Sequence, residues 1–266
     1  MPTPRRVLRY RLDQPLEEVS DVLADEEPLQ IRVNGQDVSV TMRTPGHDEE
    51  LALGFLISEG IIRQPADLLG VTPNAQGEAG NSVNVLLHAS AGFDAGRLSR
   101  HVFLSSSCGI CGKASIDQVC TSFTPVSSAG TISTKTLLTL PGRLRASQTT
   151  FDTTGGLHGV GLFKLDGSLI VAREDVGRHN AVDKVLGYAF KRGLLPASAC
   201  VLMVSGRVSF EIVQKALAGG IPIIAAVSAP TSLACEFAAE SNQTLVGFLR
   251  DGRFNVYSGE KRVVEG

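Results

Sequence analysis

Apolar and polar positions alternate in the first third of the chain, then collect into solid apolar blocks, and this change of period divides the sequence. Leu29 to Met42 alternates on both sides of Asn34-Gly35. That pair sets up a two-residue hairpin turn, because both residues tolerate a left-handed backbone. Residues 1–28 hold scattered proline and two acidic stretches and read as a loosely held arm. Asp48 is placed to cap a buried helix from Glu49 to about Glu59. Thr72 to Asn81 is polar and contains glycine, so it reads as a loop, and Ser82 to His88 reads as a strand. A short strand, His101 to Ser105, runs into a loop-like octet at 106–113. Thr121 to Thr134 reads as a loop and Lys135 to about Ser147 as a helix.

From Gly155 onward the pattern is a hairpin followed by alternating strands and helices. Leu157–Lys164 and Ser168–Arg173 flank Asp166-Gly167. A helix follows from His179 to Lys191, then a strand at Cys200–Ser205 and a helix at Ser209–Ala218. A strand at Ile221–Ser228, a helix at Ser232–Glu240 and a strand at Leu245–Leu249 complete the series. Val201–Val204 and Ile223–Val227 lack alternation, as strands buried on both faces do. The fold class is therefore α/β, with a partly parallel sheet and helix-covered faces. The chain divides into an arm (1–28), an N-terminal α+β portion (29–150) with a cysteine loop at 105–113, and a C-terminal α/β portion (151–266).

Composition narrows the function classes. The 266 residues are 43% hydrophobic and 20% charged, ordinary for a globular protein. A formal net charge of −2 gives no cationic field to gather nucleic acid, and the absence of Trp weakens any base-stacking platform. No apolar run reaches the roughly 18 residues of a membrane span. Met1 to Tyr10 has no apolar signal core, so the expected location is cytoplasmic. Five cysteines are too few for a disulfide scaffold at this length.

Two of those cysteines stand apart. Cys108 and Cys111 lie among Gly109, Gly112, three serines and Lys113. Small neighbours leave sulfur accessible, and backbone N–H groups with a lysine can stabilise a thiolate, the reactive form. Cys200 and Cys235, in apolar surroundings, read as packing residues, and Cys120 as structural. Three chemistries suit the pair. A zinc site needs two further ligands. A deaminase would add H-x-E upstream, which His47-Asp48-Glu49 matches, and a proline before the first cysteine, where Ser107 stands instead. Dithiol exchange expects the pair early in a small βαβ domain. A persulfide carrier needs only one accessible thiolate.

Several strand-to-helix junctions carry anion-binding character. They are Arg173–Asn180, Ser205-Gly206-Arg207 with Ser209 as cap, and Ser228–Ser232. Helix N-termini at strand ends gather around one crevice in open α/β sheets, and arginine grips phosphate there. No Walker loop and no G-x-G-x-x-G is present. Phe248, Leu249, Arg250, Asp251, Gly252 and Arg253, followed by Phe254, put two arginines and two aromatic rings around a turn. That suits a planar base with phosphates, and equally an ordinary Asp-Gly hairpin with solvated arginines.

These residues resemble the formate dehydrogenase accessory sulfurtransferases, the FdhD family. The likeness is carried by Cys108-Gly109-Ile110-Cys111-Gly112, Thr154–His158, Arg173–Ala181, Gln214–Leu217, Ala226–Thr231, Gly247-Phe248 and Phe254–Tyr257. It runs from about Gln30 to Tyr257 in the family's order, and the arm has no match. The resemblance implies a sulfurtransferase that accepts sulfane sulfur from a cysteine desulfurase as a persulfide. It implies delivery to the molybdenum of bis-molybdopterin guanine dinucleotide, for formate dehydrogenase, with guanine nucleotides as mimics of that substrate. Cys108 would carry the persulfide, Cys111 would assist, and Phe248–Arg253 would bind the cofactor, with no metal site. It further implies a cytidine deaminase-like layered core with a mobile cysteine loop, and a homodimer that binds neither nucleic acid nor membrane. A non-catalytic cofactor-binding chaperone and a zinc-dependent deaminase remain as alternatives.

Overall fold

A computed structural model describes residues 3–73, 81–93 and 123–266. Two sheets are joined through a pair of crossed helices. The smaller sheet has the order β4-β3-β6-β5. Strands β3 (Glu27–Val33) and β4 (Gln36–Arg43) form the predicted hairpin, with Asn34 and Gly35 at φ 50° and 81°. Strand β6 (Ser82–Leu87) runs parallel to β3, and β5 (Leu68–Pro73) pairs antiparallel with β6. Alternation turns Leu29, Ile31 and Val33 to one face, where each is wholly buried with helix α1 (Asp48–Ser58).

The larger sheet has the order β13-β12-β11-β10-β8-β9. Its strands are β8 (His158–Lys164), β9 (Leu169–Asp175), β10 (Cys200–Val204), β11 (Ile223–Ala226), β12 (Thr244–Arg250) and β13 (Arg253–Ser258). Strands β10, β11 and β12 are parallel, the β8–β9 hairpin joins antiparallel to β10, and β13 joins antiparallel to β12. Helices α4 (Arg178–Lys191), α5 (Phe210–Ala218) and α6 (Ser232–Glu240) supply one core face. Helix α2 (Thr134–Arg145) covers the other, setting Leu137, Leu140 and Leu144 with Phe163, Val201, Met203 and Ile223. Burial on both faces is why the central strands are apolar throughout. The mixed α/β class read from the sequence is the one observed.

Helices α1 and α4 cross where neither tolerates a side chain. A Cβ on Gly54 would stand 1.8 Å from the Asp183 carbonyl oxygen, and one on Gly187 would stand 1.9 Å from that of Glu50. Under the crossing, Lys215 of α5 donates to both Asp183 carboxylate oxygens at 2.8 Å and to Ser58 Oγ at 2.9 Å. Burial pushes the Asp183 carboxyl above its usual value, against the opposing pull of Lys215.

Local predictions fail where a tertiary partner intervenes. Within the arm, residues 3–23 pair locally as an exposed hairpin of β1 (Thr3–Arg9) and β2 (Glu17–Leu23), a detail the sequence reading did not give. Asp48 does not cap α1. The cap position is His47, in the left-handed region, and both Asp48 oxygens accept from Arg43 at 2.9 Å. That guanidinium is 2% exposed, and a charge so buried needs a counter-charge. Short helix α3 (Thr149–Thr154) and the β7 (Ile132–Ser133) and β14 (Val263–Val264) pair were not foreseen. The predicted strand at 101–105 and the octet at 106–113 lie outside the described residues.

Candidate functional site

Three parallel strands end on one edge of the larger sheet, and backbone hydrogen bonds stitch the turns that follow them. Val227 N–H donates to Val204 O at 3.1 Å, Thr231 N–H to Val208 O at 3.0 Å, and Phe248 N–H to Ser228 O at 3.1 Å. Because β8 is antiparallel to β10, its first residue, His158, reaches the same edge. There Gly159 N–H donates to Ser205 Oγ and Ser205 N–H to Gly159 O, both at 2.9 Å. Between this edge and the ends of α2 and α3 opens a cleft of about 890 Å³. Leu144, Phe151, Leu157 and Val227 supply apolar wall, and Arg145, Gln148, His158, Ser205, Arg207 and Ser228 the polar groups. Its position is the one in which open α/β sheets hold ligands, outside the carboxyl ends of strands.

The electrostatics of this edge are cationic. Arg207 is exposed and makes no ion pair among the described residues. Arg178 opens α4, and its Nε is buried without a hydrogen-bond partner. Burial, then the charges of Arg178 and His179, push the His158 imidazole below its ordinary pKa, so it is neutral near pH 7. His179 Nε2 lies 2.7 Å from Glu211 Oε2. Burial alone would raise the Glu211 carboxyl, but the hydrogen bond from His179 and nearby cations hold it below the usual range. Behind the site Asp175, wholly buried, accepts from Gly177 N at 2.8 Å, Asn180 Nδ2 at 3.1 Å and Thr44 N at 3.2 Å, and pairs with Lys184 Nζ at 2.7 Å. Those bonds fix the turn that places Arg178.

The predicted residues divide by location. Phe248–Arg253 forms the end of β12 and its turn into β13. Phe248 sits at φ 52° inside a bulge, with the Arg250 guanidinium 5.7 Å from its ring centre. Asp251 and Gly252, at φ 53° and 72°, make the hairpin turn, and Arg250, Asp251 and Arg253 are exposed. Within this stretch the Leu249 side chain is wholly buried beneath α2, since a β-strand sends neighbours to opposite faces. Arg173, expected at the anion site, is bound bidentately by Glu50 at 2.6 and 2.9 Å. Of the H-x-E tripeptide, His47 is 3.5 Å from Glu50 and Glu49 pairs with Lys191 at 2.7 Å on the surface. Among the described residues no group of three His, Cys, Asp or Glu side chains is placed to hold a metal, and no helix is long and apolar enough to cross a membrane. Cys108, Cys111 and Cys120 lie outside the described residues. Cys200 is buried, and burial raises its thiol pKa; Cys235 is partly buried against the same core.

Sequence reasoning did not find Gln148 or assign His158 a role. Gln148 lies inside a mainly polar stretch, Arg145–Thr150, with no periodicity to mark it. His158 gave a weak signal, the two glycines before it.

Known proteins share this architecture. The FdhD/NarQ family profile matches residues 24–264. A sulfur carrier protein FdhD of Mycolicibacterium paratuberculosis is 50% identical over 250 residues, covering 91% of this chain and 92% of its own. A protein of the same name from Streptomyces coelicolor is 49% identical over 267 residues, 97% of this chain and 94% of its own. One from Sulfolobus acidocaldarius is 42% identical over 243 residues, 91% of each. The crystal structure of a Desulfotalea psychrophila protein, named as a formate dehydrogenase accessory protein, matches with a TM-score of 0.79 at 25% identity, over 99% of each chain. A profile spanning both sheets, and relatives matched nearly end to end, establish that the chain belongs to the FdhD/NarQ family.

Proposed function

We propose that the protein is a sulfur carrier for formate dehydrogenase, taking sulfane sulfur from a cysteine desulfurase and passing it to bis-molybdopterin guanine dinucleotide. The observation that carries this reading is the cleft of about 890 Å³ at the carboxyl ends of the parallel strands, whose wall residue Ser228 accepts from Phe248 N–H, in a chain 50% identical to a named sulfur carrier. The cofactor is substrate here, not a resident group. Its guanine suits the face of Phe248 with Arg250 beside it, and its phosphates suit Arg250, Arg253 and Arg207. Cys108 is the carrier thiolate. It attacks the outer sulfur of the desulfurase persulfide, one S–S bond forms as another breaks, and the desulfurase thiolate leaves. Cys111 assists.

The layering of residues 151–266 supports the deaminase-like reading: a hairpin, then alternating helices and strands, ordered second, first, third, fourth, fifth, sixth across the sheet. We assign residues 29–150 and 151–266 as its two portions. We also assign a cytoplasmic homodimer with no membrane partner; the net charge of −2 supports the absence of a nucleic-acid partner.

The test incubates the protein with cysteine desulfurase and labelled cysteine, then measures label and intact mass. Wild type is expected to gain about one sulfur atom on the loop peptide, and Cys108→Ser none. Equal labelling of both would remove Cys108 as carrier. Active formate dehydrogenase made with Cys108→Ala would favour the cofactor-binding chaperone instead.

A further inference from the structure

Gln148 occupies the link between α2 and α3 and lines the cleft at 4% exposure. It stands at the cap position of α3 but does not cap it. The first N–H groups of that helix are taken by Glu174, which accepts from Thr150 N at 3.0 Å and from Phe151 N at 2.8 Å. The Gln148 side chain makes no hydrogen bond among the described residues, and its polar atoms are not sealed in the core but belong to the cleft wall. An amide held on a cleft wall with no protein partner keeps its donors and acceptor for whatever the cleft binds. The backbone makes room for this one. A Cβ on Gly159, inside strand β8, would stand 2.5 Å from Gln148 Cδ and 2.6 Å from its Nε2.

The surroundings define the ligand. A primary amide offers one acceptor and two donors side by side, the complement of a lactam or amidine edge. Leu144, Phe151, Leu157 and Val227 suit the faces of a flat ring. We infer that the cleft seats a fused 2-amino-4-oxopyrimidine ring whose polar edge pairs with the Gln148 amide, and that this ring is the pterin. Guanine has the same edge, but Phe248 and Arg250 already offer it a place, joined to the cleft through the Phe248 N–H bond to Ser228 O. The inference rests on the reading of the substrate as a molybdopterin guanine dinucleotide. It makes Gln148 and Gly159 determinants of specificity for the end of the substrate opposite the guanine.

The probes are 6-hydroxymethylpterin, lumazine, which lacks the 2-amino group, and GMP, each titrated by fluorescence or calorimetry into the full chain. Wild type is expected to bind the pterin saturably and more tightly than lumazine. Gln148→Leu, Gln148→Glu and Gly159→Ala are each expected to weaken pterin binding roughly tenfold or more while leaving GMP binding unchanged. Arg250→Ala is expected to do the reverse. Equal pterin affinity in wild type and a folded Gln148→Glu, or no pterin binding by wild type, overturns the inference. Loss of GMP instead of pterin assigns the cleft to guanine and overturns it as well. Sulfur labelling of wild type against Cys108→Ser tests the carrier reading by itself, so failure here is separable from failure of that reading.

Discussion

The pair Lys184–Asp175 offers a quantitative test of what holds the site in place. Both side chains are almost wholly buried, at 1% and 0% exposure, and meet at 2.7 Å. Lys184 Nζ also donates to Thr44 O at 2.8 Å. Lys184→Met keeps most of the volume and removes the charge. Asp175 is left as a carboxylate in the core with three N–H donors, from Thr44, Gly177 and Asn180. Stripping one partner from a buried pair costs about 3–5 kcal/mol, and the surviving donors place this case near ~3 kcal/mol. For a chain of this size that is a fall in Tm of about 6–12 °C. The assay is differential scanning calorimetry, with Lys191→Met as control. Lys191–Glu49 also lies at 2.7 Å, but at 41% and 45% exposure. Such a surface pair is worth under ~1 kcal/mol. Equal, small shifts in the two variants would refute the reasoning, because the backbone donors alone would then satisfy Asp175.

Further outcomes follow from the same geometry. Burial, with Arg178 and His179, depresses the folded pKa of His158 below its ordinary 6.5, so its contribution to stability is full above that pH and is lost as pH falls through the folded value. Urea midpoints of wild type should therefore fall further between pH 7 and pH 5 than those of His158→Gln, and parallel falls would disprove the shift. Gly187→Ala drives a Cβ to within 1.9 Å of the Glu50 carbonyl oxygen, forcing α1 and α4 apart at a cost of roughly 1–3 kcal/mol or more; an unchanged melting curve contradicts the crossing. Arg250→Ala removes the cation beside Phe248 and should weaken GDP binding about tenfold by calorimetry, whereas unchanged affinity would move the guanine elsewhere.

The local grammar of the chain was legible without coordinates. Asn34-Gly35, Asp166-Gly167 and Asp251-Gly252 each form the turn between paired strands, because the left-handed backbone they need is a property of those residues themselves. Solid apolar runs in β10 and β11 announced a sheet covered on both faces, and the spacing of the helices between them announced parallel order. The motifs from Thr154 to Tyr257 also carried the family, since they are continuous stretches whose spacing survives in sequence.

What tertiary structure alone decided was which polar groups are satisfied and which are left over. Asp48 looked like a helix cap until Arg43, buried beside it, claimed both its oxygens. Arg173 looked like an anion ligand until Glu50, 123 residues away in sequence, occupied its fork. Leu249 belongs to the same turn stretch, and only the strand pleat shows that its side chain lies under α2. Gln148 looked like nothing at all, and became a candidate only because Glu174 had taken the cap it stood beside and Gly159 had left it room. Local backbone preference is written residue by residue, whereas the pairing of a buried charge or amide depends on partners that folding brings from far along the chain.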